Sequence, residues 1–213
     1  MSIKIQKFVF SPFQVNTYLV YDTETKEGIV IDPGCSNFAE ETQIANEIES
    51  LNVNLLYVVN THLHIDHIFG NTFLINKFNA KLIYPLGDEF LLPIMKDEAV
   101  KYNLKLNDTP RADIFLEDID FIEFGNVKLK NIFTPGHTPA EYCFYCAKEN
   151  ILFSGDVLFK ESIGRTDLWQ GDYDTLIDSI YDKLFTLPEN TIVYPGHGAY
   201  TTIAHEKSFN PFL

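Results

Sequence analysis

Residues 60–71, NTHLHIDHIFGN, concentrate side chains that bind metal ions. The stretch holds His62, His64, Asp66 and His67, although the whole chain has only 6 histidines. Imidazole nitrogens with a few carboxylates are ligands of zinc, iron or manganese, whereas calcium and magnesium prefer oxygen. Because the apolar run LLYVV precedes it, the stretch is predicted to follow a buried strand.

Three further residues of the same kinds each follow a predicted strand. His137 lies in FTPGHTP, Asp156 in LFSGDVL and His197 in VYPGHGA. Strand ends meet at the edge of a sheet, where loop side chains converge over a rigid scaffold, and the adjacent glycines permit sharp turns. A single histidine is usually a surface or core residue, but this repeated placement predicts one shared site.

Seven ligand candidates exceed the needs of one tetrahedral ion and suit two ions. Structural zinc sites are usually Cys-rich and closed, whereas His and Asp ligands leave positions for water. We expect two divalent transition metal ions, zinc first, with iron or manganese as alternatives. We expect one ion on His62, His64 and His137 and the other on Asp66, His67 and His197. Asp156 is expected to lie between the two ions.

Two such ions would hold a bridging hydroxide, because a metal can lower the pKa of bound water from 15.7 to about 7. The hydroxide would attack a carbonyl carbon while the metals stabilise the oxyanion. Asp66 is expected to orient the metal-bound water. Asp32 and Thr61 are expected to support the ligand imidazoles, whose second nitrogen needs a partner; turn formation at Asp32 is the alternative.

Composition restricts the partners. Among 213 residues, 16 basic and 30 acidic residues give a net charge of −14. Nucleic acids and anionic membrane surfaces are therefore not expected, since both attract clustered positive charge. No stretch approaches the roughly 18 apolar residues of a membrane span, and the start of the chain lacks the pattern of a signal peptide. A cytoplasmic protein is expected.

The three cysteines favour no disulfide framework, because their number is odd and no secretion signal precedes them. Cys143 and Cys146 lie in CFYC, which reads as a strand. Residues three apart on a strand point to opposite faces, so we expect two separate, half-buried hydrophobic residues.

The elements around these motifs predict an α+β fold of two sheets packed together with helices outside. Strands are expected in KIQKFVF, NTYLVYD and GIVIDPG, in KLIYPLG, and in later runs that include the hairpin signal GN. Helices are expected after Ser36 or Asn37, after the histidine cluster, near residues 87–104 and at about 172–187. Residues 88–113 are expected to be a connection rather than a lid, within a single domain 1–213.

The motifs THLHIDH, TPGHT, SGD and YPGHG, in this order and spacing, resemble those of the metallo-β-lactamase-fold hydrolases over nearly the whole chain. The resemblance implies a four-layer αββα sandwich with metals at one edge. SGDVLFKESIGRTDLWQGD most resembles the short glyoxalase II-like (hydroxyacylglutathione hydrolase-like) group. That implies hydrolysis of a small acyl thioester, such as S-lactoylglutathione. We expect no C-terminal glutathione-binding helical domain, which leaves glutathione recognition open.

The GRTDLW stretch supplies three more candidates. Arg165 is expected to contact a substrate carboxylate and Asp167 to position the site; a structural Arg–Asp pair is the alternative. Trp169 is expected to line the substrate pocket or to pack in the core. His205 fits no ligand position and is expected at the surface.

Two rival functions remain. Persulfide dioxygenases share the fold and a similar GRTD stretch, and they use one iron bound by residues that match His62, His137 and Asp156. The second rival is a non-catalytic metal-binding module. Such a module would be indicated by a sequence that lacks some of the seven ligand residues. Lactonase and nuclease branches fit less well. The physiological substrate and the oligomeric state stay open.

Overall fold

The computed structural model describes residues 3–213. Its first half forms a mixed sheet, antiparallel from the first strand to the third and parallel from the third to the sixth. The three parallel pairs require crossover connections, and each of these contains at least one helix. In order across the sheet the strands are β1 (Ile3–Phe10), β2 (Val15–Asp22), β3 (Glu27–Ile31), β4 (Asn54–Val59), β5 (Lys81–Tyr84) and β6 (Ile114–Phe115).

Four helices belong to this half: α1 (Phe38–Ser50), α2 (Ile65–Ile68), α3 (Asn71–Phe78) and α4 (Leu91–Lys101). The Asn37 side chain caps α1 by accepting the N–H groups of Ala39 and Glu40, which satisfies donors at the open helix end. The one-turn helix α2 lies inside the histidine cluster and was not predicted. Within residues 3–213, every helix is too short or too polar to cross a bilayer.

The second half forms another mixed sheet, of strands β7 (Phe121–Phe124), β8 (Val127–Phe133), β9 (Tyr142–Cys146), β10 (Ile151–Gly155), β13 (Ile192–Pro195) and β14 (Thr201–Thr202). Their order is β14-β13-β10-β9-β8-β7, and only β10 and β13 run parallel. Strands β11 (Leu158–Phe159) and β12 (Ser162–Ile163) form a separate ribbon. Helices α5 (Tyr173–Ser179) and α6 (Ile203–Phe209) follow.

Three apolar layers hold the sandwich together. Between the sheets, side chains such as Tyr18 and Ile29 pack near Phe124, Phe144 and Phe153. A second layer joins the first sheet to α1, α3 and α4, and a third joins the other sheet to α5 and α6. Because each sheet is covered on both faces, the predicted αββα architecture is confirmed.

The prediction that Cys143 and Cys146 point to opposite faces of their strand is confirmed, but the prediction that they are half-buried is wrong. Cys143 belongs to the layer under α5 and Cys146 to the layer between the sheets, so they point to opposite faces. They are only 0% and 3% exposed, rather than half-buried, because both faces of β9 are covered. All three cysteines of the chain are free thiols.

Candidate metal centre

The structure brings all seven predicted ligands together at one edge of the sandwich. His62 and His64 follow β4, Asp66 and His67 lie on α2, and the other three follow β8, β10 and β13. All are buried except His197, which is partly exposed. The two sheets therefore each contribute loops to one compact group of seven side chains: His62, His64, Asp66, His67, His137, Asp156 and His197.

The first cluster consists of His62, His64 and His137, whose ligand nitrogens lie within 4.8 Å of one another. His64 Nδ1 is 2.9 Å from His137 Nε2. His137 Nδ1 lies 2.6 Å from the carbonyl oxygen of Arg165, to which its N–H donates, so a neutral His137 presents the Nε2 lone pair to the cluster. The buried Nε2 of His62 has no hydrogen-bond partner among residues 3–213. These features fit a bound cation.

The second cluster consists of Asp66, His67 and His197, whose ligand atoms also lie within 4.8 Å of one another. Asp66 Oδ2 is 3.1 Å from His197 Nε2 and 3.7 Å from His67 Nε2. The buried Nε2 of His67 makes no hydrogen bond to any described residue. A carboxylate and two imidazoles leave room for water around a metal ion.

Asp156 lies between the two clusters. Its Oδ1 is 3.5 Å from His67 Nε2, and its Oδ2 is 3.7 Å from His137 Nε2. Asp156 Oδ1 is buried without a hydrogen-bond partner in the described chain. One carboxylate facing both clusters is the arrangement that a bridging ligand of two ions needs.

Asp32 and Thr61 lie behind the ligand imidazoles. Asp32 accepts hydrogen bonds from the Thr61 N–H and hydroxyl, both at 2.8 Å. Because that hydroxyl proton points to Asp32, Thr61 Oγ1 can accept the Nδ1–H of His62 across 3.0 Å. Asp32 Oδ2 also lies 3.0 Å from His67 Nδ1, although the contact is not aligned as a hydrogen bond.

Glu141 is a buried residue of the site that the sequence analysis did not identify. Its Oε1 accepts the backbone N–H of Asp156 at 2.7 Å and lies 3.3 Å from His62 Nδ1. A Cβ on Gly155, which has a φ of +50°, would lie 2.4 Å from this oxygen, so this position requires glycine. The sequence signal was an acid directly before the apolar strand YCFYC.

Asp88 is a second buried acid that was missed. It ends the short 3₁₀ turn Leu86–Asp88. Its Oδ1 accepts the N–H of Ala140 at 3.1 Å and its Oδ2 the N–H of Leu63 at 3.3 Å. Burial raises the pKa of this carboxyl to about 6. Asp88 therefore links the loop that carries His62 to the loop that carries His137.

Burial sets the charge of the first cluster. It lowers the pKa of His64 to about 3, with a further contribution from His137, and it holds the pKa of His62 well below its usual value. Both imidazoles are therefore neutral at pH 7, which is the form that binds metals.

In the second cluster, neighbouring charges affect the pKa values of the side chains more than burial does. Although burial opposes it, the carboxylates of Asp66 and Asp156 raise the pKa of His67. In turn, the His67 cation outweighs burial and lowers the pKa of both acids. The cluster therefore offers two ionised carboxylates to a positive charge.

A cavity of about 310 Å³ opens beside the two clusters. Met95 and Glu98 of α4 and the adjacent Tyr102 line it, so part of residues 88–113 contributes to a wall of the site. Arg165 and Trp169 line it as well, and the Trp169 ring lies 5.4 Å from that of His64. The remaining wall residues are Phe13, Ile65 and Leu168 and five of the candidate ligands, His64, Asp66, His137, Asp156 and His197.

The other two predicted residues lie outside this cavity wall. Asp167 pairs with Arg165 through two hydrogen bonds, of 2.7 Å and 2.8 Å. His205 is partly exposed on α6, where its Nε2 lies 2.9 Å from Glu161 Oε1.

Two characterised relatives match nearly the whole chain. Hydroxyacylglutathione hydrolase GloC of Haemophilus influenzae is 36% identical over 99% of this chain and 98% of that protein. The mitochondrial persulfide dioxygenase ETHE1 of Bos taurus is 35% identical over 92% of this chain and 70% of that protein.

Solved structures share the architecture. The B3 metallo-beta-lactamase BLEG-1 superposes with a TM-score of 0.90 at 33% identity, covering 99% of both chains. TTHA1623, crystallised in a di-iron-bound form, has a TM-score of 0.85 at 30% identity and covers 98% of this chain and 100% of its own. The family model described as the metallo-beta-lactamase superfamily matches residues 10–197. This chain therefore belongs to the metallo-beta-lactamase superfamily.

Proposed function

We propose that this chain is a metal-dependent hydrolase of the glyoxalase II type that cleaves small acyl thioesters. The observation that carries the proposal is the complete set of seven ligands, with buried ligand atoms that have no other partner. The first cluster, His62, His64 and His137, would hold one divalent ion. Asp66, His67 and His197 would hold the other, and Asp156 would contact both.

Two bound ions would supply water that is deprotonated near neutral pH and would stabilise negative charge on the carbonyl oxygen. Hydrolysis forms a C–O bond to the oxygen of water and breaks the C–S bond, which gives a carboxylate, a thiol and one proton. Asp66 orients the attacking water, and Thr61 and Glu141 fix the His62 ring from behind. The cavity wall positions the thioester and excludes bulk water.

For the metals, zinc is the first choice because the ligand set is rich in histidine. Iron is the alternative, supported by the di-iron-bound form of TTHA1623, and manganese is a third. The partner is a small molecule rather than a nucleic acid or a membrane. A cytoplasmic location and a single domain over 1–213 remain predictions.

Persulfide dioxygenation by one iron is the second candidate, because the bovine persulfide dioxygenase is 35% identical over 92% of this chain. In that case His62, His137 and Asp156 would bind the iron. The compact second cluster of Asp66, His67 and His197 favours the hydrolase, since a mononuclear enzyme would not need these ligands.

The test compares histidines inside and outside the site. We expect freshly purified protein to contain two transition metal ions and to hydrolyse thioesters, including S-lactoylglutathione, without oxygen. His62→Ala should weaken metal binding by at least about 10- to 100-fold and abolish hydrolysis, whereas His205→Ala should retain both. Oxygen consumption with glutathione persulfide, without thioester hydrolysis, would instead establish the dioxygenase.

A further inference from the structure

We infer that a cleft on the second sheet, here called the lysine cleft, binds a medium-chain fatty carboxylate. The alkyl chain would lie on a buried apolar floor and the carboxylate at a rim of lysines. The lysine cleft has a volume of about 570 Å³, which is within the range of small-molecule sites. It shares no lining residue with the cavity beside the two clusters, so the inference is independent of the proposed function.

The lysine cleft lies on the outer face of β8 and β9. Successive residues of a strand alternate between faces, so Lys128, Lys130 and Ile132 share one face of β8. Tyr145 lies directly opposite Lys130 on β9 and belongs to the apolar layer under α5. The turn Ile180–Leu184, which continues α5, and the residues after it form the opposite wall.

The floor of the lysine cleft is apolar. All four of its buried lining residues belong to the hydrophobic core: Ile3, Val127, Tyr145 and Cys146, which are 6%, 5%, 8% and 3% exposed. Every polar lining residue is exposed or partly exposed. This division, with apolar groups below and polar groups at the edge, matches a ligand that has an alkyl chain and one polar end.

The rim carries positive charge in an acidic protein. Four of the 16 basic residues line the lysine cleft, together with two of the 30 acidic residues. The four are Lys128, Lys130, Lys148 and Lys183. The net charge of the lining is therefore positive, whereas that of the chain is −14, and an anion is attracted to this part of the surface.

Two of these lysines already have partners. Lys128 pairs with Glu123 at 2.8 Å, and the Lys183 ammonium donates to the carbonyl oxygen of Phe133 at 2.6 Å. The ammonium groups of the other two, Lys130 and Lys148, are exposed and form no ion pair with any residue of 3–213. Two unpaired cations are thus available to a ligand.

The acids of the rim restrict the ligand to a small negative charge. Glu149 and Asp182 also line the lysine cleft, so a multiply charged anion would meet like charges as well as the lysines. A lysine ammonium is a compact point charge without the planar fork of arginine, and it can pair with one carboxylate. A monoanion with an alkyl chain therefore fits both the floor and the rim.

Calorimetry with decanoate, at concentrations at which it is monomeric, tests the alkyl chain. We expect one decanoate to bind per chain of the metal-loaded protein. Hexanoate, which is shorter by four methylene groups, should bind at least about tenfold more weakly, because less apolar surface leaves water. Equal affinities for the two carboxylates would overturn the inference, as would the absence of decanoate binding.

Charge reversal at the rim tests the headgroup. Lys130→Glu and Lys148→Glu should each weaken decanoate binding by about fivefold, which corresponds to the loss of one exposed ion pair, and Lys130→Arg should bind like the wild type. The matched control is Lys81→Glu, which makes the same charge change at an exposed residue of β5 outside the lysine cleft and should leave the Kd unchanged. Melting temperatures check that each variant is folded.

Methyl NMR of the zinc-loaded protein locates the bound decanoate, since a carboxylate could also bind a metal ion. The methyl resonances of Val127 and Ile132, which line the lysine cleft, should shift on titration. Those of Ile65, which lines the cavity beside the clusters, should stay in place. Shifts confined to Ile65, or equal affinities of Lys130→Glu and Lys81→Glu, would overturn the inference, and neither result depends on thioester hydrolysis.

Discussion

Two of the buried candidate ligand imidazoles, those of His62 and His137, have one nitrogen facing the clusters and the other beside a fixed protein group. For His62 that group is Thr61 or Glu141, and for His137 it is the carbonyl oxygen of Arg165. Such partners select the tautomer and hold the ring in place. The lone pairs are therefore directed before any metal arrives.

Glu141 offers a sharp test of this arrangement, because a single oxygen, Oε1, serves both Asp156 and His62. Glu141→Gln keeps an oxygen that can accept the N–H of Asp156 and lie beside His62 Nδ1, whereas Glu141→Leu removes it. We expect Glu141→Leu to weaken metal binding by about 10- to 100-fold and Glu141→Gln to weaken it much less. Competition with a chromophoric chelator measures both affinities.

A control for charge is Glu123→Gln, which removes only a surface pair with Lys128 and should bind metal like the wild type. If the Leu and Gln variants lose affinity equally, the negative charge of Glu141 would matter rather than its accepting oxygen, and the positioning argument would be wrong.

Sequence spacing was sufficient to bring the seven ligand candidates to one edge of the sandwich, since each follows a recognisable strand within a short motif; their role as ligands stays a prediction. It was not sufficient for Glu141 and Asp88. Their partners lie far away along the chain, and only the packed loops bring them close. Side-chain contacts of this kind depend on register and loop geometry, which one sequence does not specify.

At the scale of elements, the turn Leu86–Asp88 connects the loop that carries His62 to the loop that carries His137 through hydrogen bonds. Its buried Asp88 holds Leu63 and Ala140, and a Cβ on Gly87 would lie 2.6 Å from that of Ala140. The same turn precedes α4, which supplies part of the cavity wall. The loops and the wall thus share one anchor.

The pKa of Asp88 predicts how its contribution to stability varies with pH. Burial raises this pKa from 3.8 to about 6, so between these values the folded state holds the proton after the unfolded state has lost it. The stability that Asp88 contributes is therefore complete below about pH 4 and falls as the pH rises towards 6. Asp88→Asn has no such titration, so its destabilisation should be larger at pH 4.5 than at pH 7.

Urea unfolding of chelator-treated wild type and Asp88→Asn at the two pH values checks this, since metal removal excludes the pH dependence of metal binding. The asparagine side chain has only one oxygen, so the N–H of either Leu63 or Ala140 would lose its acceptor. The free energy of unfolding is therefore expected to fall by about 1–3 kcal/mol. A destabilisation that grows from pH 4.5 to pH 7 would contradict the raised pKa.

Strands bounded by turn residues and helices of several turns were predictable, whereas a one-turn helix and two-residue strands were not. The alternation and helical spacing identified β1 to β5 and α1, and Asn37 was among the predicted caps. Helix α2 and the ribbon β11–β12 span too few residues for a period to show. The role of α4 in the cavity wall depends on how the helix docks, which its own pattern does not contain.

Across the whole molecule, the two sheets meet at the site through a few polar contacts. The Tyr18 hydroxyl and the Asn16 amide both donate to the carbonyl oxygen of Pro195, at 2.7 Å and 2.9 Å. The Tyr142 N–H donates to the Thr61 carbonyl oxygen at 3.0 Å. Ligands for the two clusters come from both sheets, so bound metals would join the sheets at the same edge.

Metal removal should therefore loosen this edge before it affects the far layers. Binding that favours the native state stabilises it by about 4 kcal/mol when the ligand is at 1,000 times its Kd, so chelation should lower the melting temperature. Hydrogen exchange of the Tyr142 amide, which joins the sheets beside the site, should accelerate. The amides of Ile44 and Ile48 on α1, which packs in the outer layer, should lose much less protection.

The comparison separates two ways in which metals can stabilise a sandwich. If they act by joining loops of the two sheets, exchange after chelation rises mainly at the ligand loops and at Tyr142. A uniform rise that includes Ile44 would mean that only global unfolding became easier, because all amides would then exchange through the same opening. Since the apolar layers do not depend on the clusters, we expect the local pattern.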